Sequence, residues 1–304
     1  MSSSSIKNVL VIGASGNVAK STIKALLDEN FTVTGLTRNT SQPTLPAGVK
    51  HAKTDYTEAS LLGIFKGQDA IISTVSSIVP GDVLASQKLM VDTAIKAGVK
   101  VFFPSEYGID TSDPSASDYV PFLKDKISTL DYLKTKQDKI SWTAIISGSI
   151  FDWGLSIPGY GGVDATAHTA TIFDGGDILY EATSYDQVGR AIAKSLKHAE
   201  ITKNQYVYVN SFTVTQNQVV TALEKATGQK FEKSAGTVKG LWEDGATEVK
   251  KGNLMGTLGM LAGSIYGFSG LAHYSPTKGL WNEKLGLSQE DLDEFVKTYL
   301  AAKK

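Results

Sequence analysis

Two short stretches of this chain carry residue types and spacings that could do chemistry. The first is Gly13-Ala-Ser-Gly-Asn-Val-Ala19, a Gly-x-x-Gly-x-x-Ala turn. Glycines let backbone approach a ligand closely, and a helix opening at such a turn aims free N–H groups at an anion. Gly13, Ser15, Gly16, Asn17 and Val18 are the residues expected to hold that anion. The second stretch is Tyr132-Leu-Lys-Thr-Lys136, a Tyr-x-x-x-Lys spelling with Ser105 upstream. One turn of helix would put tyrosine and lysine on one face, where the lysine lowers the phenol's pKa. The competing reading is plain: Lys134 to Lys139 is the solvated end of a helix.

Positioning these groups requires strands and helices in a definite order. The apolar run Val9–Ile12 reads as a buried strand before the glycine turn, and Lys20–Leu27 as a helix after it. That context makes the turn a dinucleotide site. Further strands are expected at Phe31–Thr37, Val49–Thr54, Ala70–Val75, Val99–Phe103 and Ser141–Ile146. Helices are expected at Glu58–Gly67, Val83–Gly98 and Pro121–Lys136. Strands alternating with helices of this length specify an α/β protein with a parallel sheet covered on both faces, a Rossmann-type doubly wound fold.

After Ser147 the pattern loosens, and Gly148 to Gly176 reads as loops and short strands. A helix follows at Thr183–Leu196, a strand at Gln205–Val209 that returns to the sheet, and a helix at Thr215–Thr227 stopped by Gly228. The last helix is expected to open on a capping box at Ser288-Gln-Glu-Asp291. These elements suggest a Rossmann domain over residues 1–150 and a smaller substrate-binding lobe over 151–304, with about 183–210 returning to the sheet. Gly252 to Thr277 contains no charged side chain. Its repeated glycines dilute it below what a membrane span needs, so a buried or pocket-lining lid is expected.

The second strand bears on cofactor choice. A carboxylate near its end would hold ribose hydroxyls and repel a 2′-phosphate. From Phe31 to Thr54 there is no acidic residue, and Arg38 stands directly after the strand. Its guanidinium can pair with a 2′-phosphate in a fork geometry, so NADP(H) is expected. Asp55 could accept from the adenine amino group or serve as a turn cap. Thr74, Val75 and Ser76 end the fourth strand on the crevice side of the sheet.

Phe102-Phe-Pro-Ser-Glu-Tyr-Gly108 follows the fifth strand. With the glycine turn, Ile71–Val75, Phe122-Leu-Lys-Asp-Lys126 and Trp142–Gly154, it closely resembles the isoflavone reductase-like and NmrA-like proteins, atypical short-chain dehydrogenase/reductases, and the fungal branch in particular. The resemblance covers about residues 6 to 230. It implies an NADPH-dependent reductase of a small apolar or aromatic carbonyl, enol or conjugated alkene, in secondary metabolism. It also implies one other branch, NmrA-type regulators that sense a dinucleotide without catalysis and lack the lysine at the Lys126 position. This chain keeps Lys126, with Phe122 where a tyrosine would usually stand. Lys126 would then bind the ribose and relay the proton alone. Pro104, Ser105 and Phe151 are expected at the cofactor. Tyr107, Phe151, Trp153 and Tyr160 are expected at the substrate, with ordinary core packing an equal reading of Phe151 and Trp153, and Glu106 is expected to tie loops together beneath.

Composition excludes other classes. A net charge of −1 argues against capture by nucleic acid or anionic membrane. Cysteine is absent, which removes thiolate catalysis and disulfides, and the four histidines are too scattered to suggest a metal site. Met1–Ser5 has no apolar stretch that could act as a secretory signal, so a cytoplasmic monomer or homodimer is expected.

Overall fold

In chain order, the first strands and helices of the computed structural model, which describes residues 6–76 and 82–303, alternate except where β3 follows β2 directly. They are β1 (Asn8–Ile12), α1 (Asn17–Asp28), β2 (Thr32–Arg38), β3 (Lys50–Thr54), α2 (Glu58–Phe65), β4 (Ala70–Ser73), α3 (Val83–Ala97) and β5 (Val101–Phe103). Then come α4 (Ala116–Tyr119), α5 (Leu123–Lys134), β6 (Ser141–Ile146), β7 (Ser149–Ile150), α6 (Phe151–Ser156), β8 (Val163–Asp164), β9 (Thr169–Phe173) and β10 (Tyr180–Thr183). The chain continues through α7 (Tyr185–Lys197), α8 (Ala199–Thr202), β11 (Gln205–Tyr208), β12 (Phe212–Val214), α9 (Gln216–Thr227), β13 (Glu232–Gly236) and α10 (Val238–Lys250). It closes with α11 (Gly256–Gly263), a π-helical segment at Ser264–Phe268, α12 (Ser275–Lys278) and α13 (Leu292–Ala301).

The main sheet has the order β11-β6-β5-β4-β1-β2-β3, and every pairing is parallel. Strand order reverses between β1 and β4, the switch point outside which ligands bind in open α/β sheets. Period-2 alternation explains the two-sided core. Val9 and Val11 pack with Ile23, Leu26 and Ile192 of α1 and α7, while Leu10 and Ile12 pack with Leu61 and Phe65 of α2, Met90 of α3 and Leu130 of α5. Burying each such side chain stabilises the fold by roughly 1.5–3 kcal/mol. Gly189 lets α7 lie directly on α1, since a Cβ there would come within 2.5 Å of the Ser21 carbonyl.

Outside the main sheet, two small sheets, β12-β10-β7 and β13-β9-β8, pack with α9, α13 and the charge-free segment. No helix among the described residues is long and apolar enough to cross a membrane. Gly98 and Gly228 end α3 and α9 in the left-handed conformation, φ 79° and 72°, as their positions suggested. Thr215 and Gln218 form a full capping box on α9.

Three expectations need correction. The capping box at Ser288–Asp291 is not formed; Asp291 itself caps α13, accepting from the Glu294 amide at 2.9 Å. The preceding residues are held extended because Glu290 is tied to Ser184, Ser211 and Arg190. The fourth strand stops at Ser73, where Thr74 turns its hydroxyl onto the Ile12 carbonyl at 2.7 Å. Phe151 to Ser156 form a helix inside a region read as loops and short strands, and β13 and α10 occupy a stretch to which the sequence reading assigned no element.

Candidate active site

The glycine turn sits at the switch point, between β1 and α1. Gly13 takes φ 83°, and a Cβ there would lie 3.0 Å from Thr74 Oγ1, so the turn requires glycine. Gly16 is the N-cap of α1, with no side-chain cap and no acidic residue in the first turn. The first N–H groups of α1 are therefore free for an anion. Gly35 on β2 passes so close beneath the turn that a Cβ would come 2.9 Å from that of Ala14.

The turn opens into a cleft of about 300 Å³ that also receives Thr74, Ser76, Ser105, Tyr107, Lys126 and Trp153. Lys126 stands in the first turn of α5, and its ammonium donates to the main-chain carbonyl of Glu106. Burial pulls its pKa below the ordinary lysine value, while the Glu106 carboxyl opposes that shift. Glu106 is 1% exposed and accepts from the Thr111 hydroxyl. Burial pushes its carboxyl above the usual range, against the pull of Lys126. Phe122 lines the cleft one turn before Lys126, and it offers a ring without a hydroxyl.

The far wall is apolar. Ile109, Phe122, Leu123, Trp153, Leu261 and Ile265 all reach the cleft, and the Trp153 and Tyr160 rings meet edge-on at 5.0 Å. The hydroxyls of Tyr107 and Tyr160 are buried and find no partner among the described residues. Burial raises the pKa of both phenols, so both hydroxyls remain protonated.

The other sequence expectations divide. Gly16, Asn17, Val18, Thr74, Ser76, Ser105, Tyr107, Lys126, Trp153 and Tyr160 are brought together in one cleft. Ser15 is exposed on the turn, and Arg38 is exposed at the end of β2 with no ion pair among the described residues. Asp55 caps its own turn, accepting from the Thr57 amide and hydroxyl at 3.0 and 2.8 Å, which holds its pKa below the usual carboxylate value. Val75 and Pro104 back onto a small cavity behind Lys126.

Phe151 is a correction. It is 4% exposed and packs on Phe212 and Phe295, at 5.2 and 5.5 Å, in the core beside the two small sheets. Helix α6 starts at Phe151, and residues two apart on a helix lie about 200° apart, so Trp153 faces the cleft and Phe151 cannot. Tyr132 and Lys136 also lie outside it. The Tyr132 hydroxyl donates to Asp92 at 2.5 Å, and Lys88 and Lys136 lie over its ring at 5.2 and 5.1 Å.

Several cleft residues carried no sequence signal of their own. Tyr185 begins α7, and its hydroxyl accepts from Asn17 Nδ2 at 3.4 Å. Gly108, Ser149 and Ile150 reach the cleft through the crossing of two backbones at Gly148. A Cβ at Gly148, φ 63°, would sit 2.2 Å from the Glu181 carbonyl. That glycine was the available clue. Leu261 and Ile265 place part of the charge-free segment at the cleft, as a lining lid would be.

Fold and cleft define a class: a Rossmann-type α/β protein in which the glycine turn, Lys126 and an apolar wall share one cleft. Comparison with known proteins narrows this. The sequence model of the NmrA-like family matches residues 5–252, and the chain belongs to that family. It is 33% identical over 299 residues to the oxidoreductase aprR of Aspergillus flavus, covering 96% of this chain and 98% of that one. It is 28% identical over 248 residues to an isoflavone reductase homologue of Zea mays, covering 74% and 76%. Its fold matches the Escherichia coli NADPH-dependent quinone oxidoreductase QOR2, solved with NADPH, with a TM-score of 0.71 at 18% identity over 96% of this chain and 99% of that one.

Proposed function

We propose that this oxidoreductase reduces a small, largely apolar or aromatic carbonyl, enol or conjugated alkene with NADPH, and that Lys126 binds the ribose and relays the proton. The observation that carries this reading is the position of Lys126. Its half-buried side chain lines the cleft with Ser105 and an apolar wall, where Phe122 supplies no competing hydroxyl.

The residues present fit the dinucleotide. Gly13 and Gly16 provide a cradle that a side chain would fill, and the uncapped start of α1 provides N–H donors. Arg38, unpaired among the described residues, is available for a 2′-phosphate. Bound NADPH would supply the hydride. Lys126 Nζ would hold a proton next to the substrate oxygen, and its lowered pKa makes that proton easier to give. Trp153, Leu261 and Ile265 would exclude water and hold a flat, apolar body. The buried hydroxyls of Tyr107 and Tyr160 are available to a substrate oxygen, because a buried hydroxyl left unpartnered costs about 1–3 kcal/mol.

The sensor reading of the family is weaker, since those regulators lack the lysine that stands here at the cleft. The test is a screen of NADPH oxidation against aromatic aldehydes, enones and phenylpropanoids. Turnover of at least one of these classes is expected. NADP(H)-dependent binding of another protein, with none of them turned over, would overturn the reading.

A further inference from the structure

Behind Lys126, on the side away from the substrate wall, a second and much smaller cavity lies between α3, α5 and the loop after β5. Its polar lining is Gln87, Ser105, Glu106, Asp125, Lys126 and Thr129. Its volume is about 10 Å³, on a scale where about 10–15 Å³ admits one water molecule.

Two oxygens on these side chains are buried and meet no hydrogen-bond partner among the described residues: Oε1 of Glu106 and Oε1 of Gln87. The other end of each group is fixed. Glu106 Oε2 accepts from Thr111, and Gln87 Nε2 donates to Ser73 Oγ at 3.1 Å. Lys126 Nζ donates to the main-chain carbonyl of Glu106 and not to its carboxyl. A cavity of one-water size is therefore lined by Glu106, Gln87 and Lys126, the first two each carrying a buried oxygen without a partner among the described residues. A buried water needs two to four polar partners, and these side chains supply them.

We propose that Glu106 is the proton reservoir for Lys126, joined to it by one water seated between the carboxyl, Gln87 and the ammonium. This rests on the reading of Lys126 as proton donor. Bound NADPH would supply the hydride, and Lys126 Nζ gives the substrate its proton and becomes a neutral amine. The Glu106 O–H bond then breaks toward the water, and the water passes a proton to Nζ. A carboxylate is left near an ammonium, and solvent returns one proton to it after product leaves.

The electrostatics agree with this order. Burial raises the Glu106 pKa, which favours the proton-bearing carboxyl, and Asp110 adds to the effect. Lys126 and Lys134 act in the opposite direction and stabilise the carboxylate once it forms.

Glu106→Gln keeps the size and an oxygen for Thr111 but removes the transferable proton. In the cofactor-free protein at neutral pH, infrared difference spectra should show a protonated-carboxyl band in the parent that the variant lacks. With NADPH and a substrate from the screen, kcat should fall at least about tenfold and its solvent deuterium isotope effect should rise, while KM changes by less than about twofold. Gln87→Met removes one partner of the water and should lower kcat about threefold to tenfold while keeping the infrared band. Absence of the band from the parent, or full kcat in either variant, overturns the reservoir. Should Glu106→Gln fail to fold, the parent spectrum and Gln87→Met decide. Lys126→Ala separates the two ideas. If it keeps full turnover, the reading of Lys126 falls; if it is dead while Glu106→Gln is fully active, only the reservoir falls.

Discussion

The two ends of the cleft are made of different material. At the dinucleotide end, main chain supplies the contacts: the bend at Gly13, the bare Gly16 and the uncapped first turn of α1. At the substrate end, side chains converge from distant segments, with Tyr107 after β5, Lys126 on α5, Trp153 on α6, and Leu261 and Ile265 near the C-terminus. A main-chain site needs glycine at fixed positions and little else, because any Cβ would intrude. A side-chain site depends on how separate elements pack, and it can change its lining without changing the sheet. The first end is therefore suited to a ligand held by backbone and the second to one selected by side chains.

This contrast can be broken most sharply at Lys126. If chemistry lives at the side-chain end, Lys126→Ala should lower turnover by about 10²- to 10⁴-fold. NADPH should still bind, because most of its contacts are expected at Gly13 to Val18 and Arg38. The pH profile has a definite sign. The ammonium is the donor, so kcat should fall as pH rises through the Lys126 pKa, and burial places that limb below the ordinary lysine range. A profile flat to high pH, or an active Lys126→Ala, would move the chemistry elsewhere in the cleft.

The reverse experiment is Gly16→Val. Gly16 has φ −75°, which valine tolerates, and a Cβ would meet only the Gly13 carbonyl at 3.3 Å. The fold should survive while the side chain blocks the approach to the α1 amides. NADPH affinity should fall by about a hundredfold, roughly 2.8 kcal/mol, with an unchanged melting temperature. Calorimetry showing normal binding would make the turn merely structural.

A smaller effect is expected at Arg38, the exposed side chain at the end of β2. NADPH should bind about tenfold tighter than NADH, about 1.4 kcal/mol, and Arg38→Ala should erase most of that difference. Equal affinity for both cofactors in the unaltered protein would remove the argument.

The same contrast explains what was legible in the sequence. Val9–Ile12 with its turn and helix, the strands around the switch point and the return of Gln205–Tyr208 to the sheet are local patterns, and they appear where periodicity puts them. Lys126 was legible through a family motif. Tyr185 and Ser149 were not, because each reaches the cleft only through packing between elements far apart in sequence. Phe151 was misplaced for a local reason. A residue read as following a strand turns out to start a helix, and half a helical turn sends it into the core.

The smallest effect should come from Tyr132, the tyrosine of the other lysine pair. Lys126 and Tyr132 share α5 but lie six positions apart, and they point to different surroundings. Lys126 lines the cleft, whereas Tyr132 packs on the α2–α3 side of the sheet. Its hydroxyl donates to Asp92, which with burial pushes its pKa up to about 12. That is the reverse of what proton transfer by a phenol requires, since catalytic tyrosines are pulled down by a nearby cation. Lys88 and Lys136 lie over the face of the ring and not at its oxygen. Tyr132→Phe should therefore leave kcat and KM within about twofold. The only cost should be the bond to Asp92, about 1 kcal/mol of stability, measured by denaturant unfolding. An inactive Tyr132→Phe beside an active Lys126→Ala would return the protein to the ordinary Tyr-x-x-x-Lys mechanism and invert the assignment of the two faces of α5.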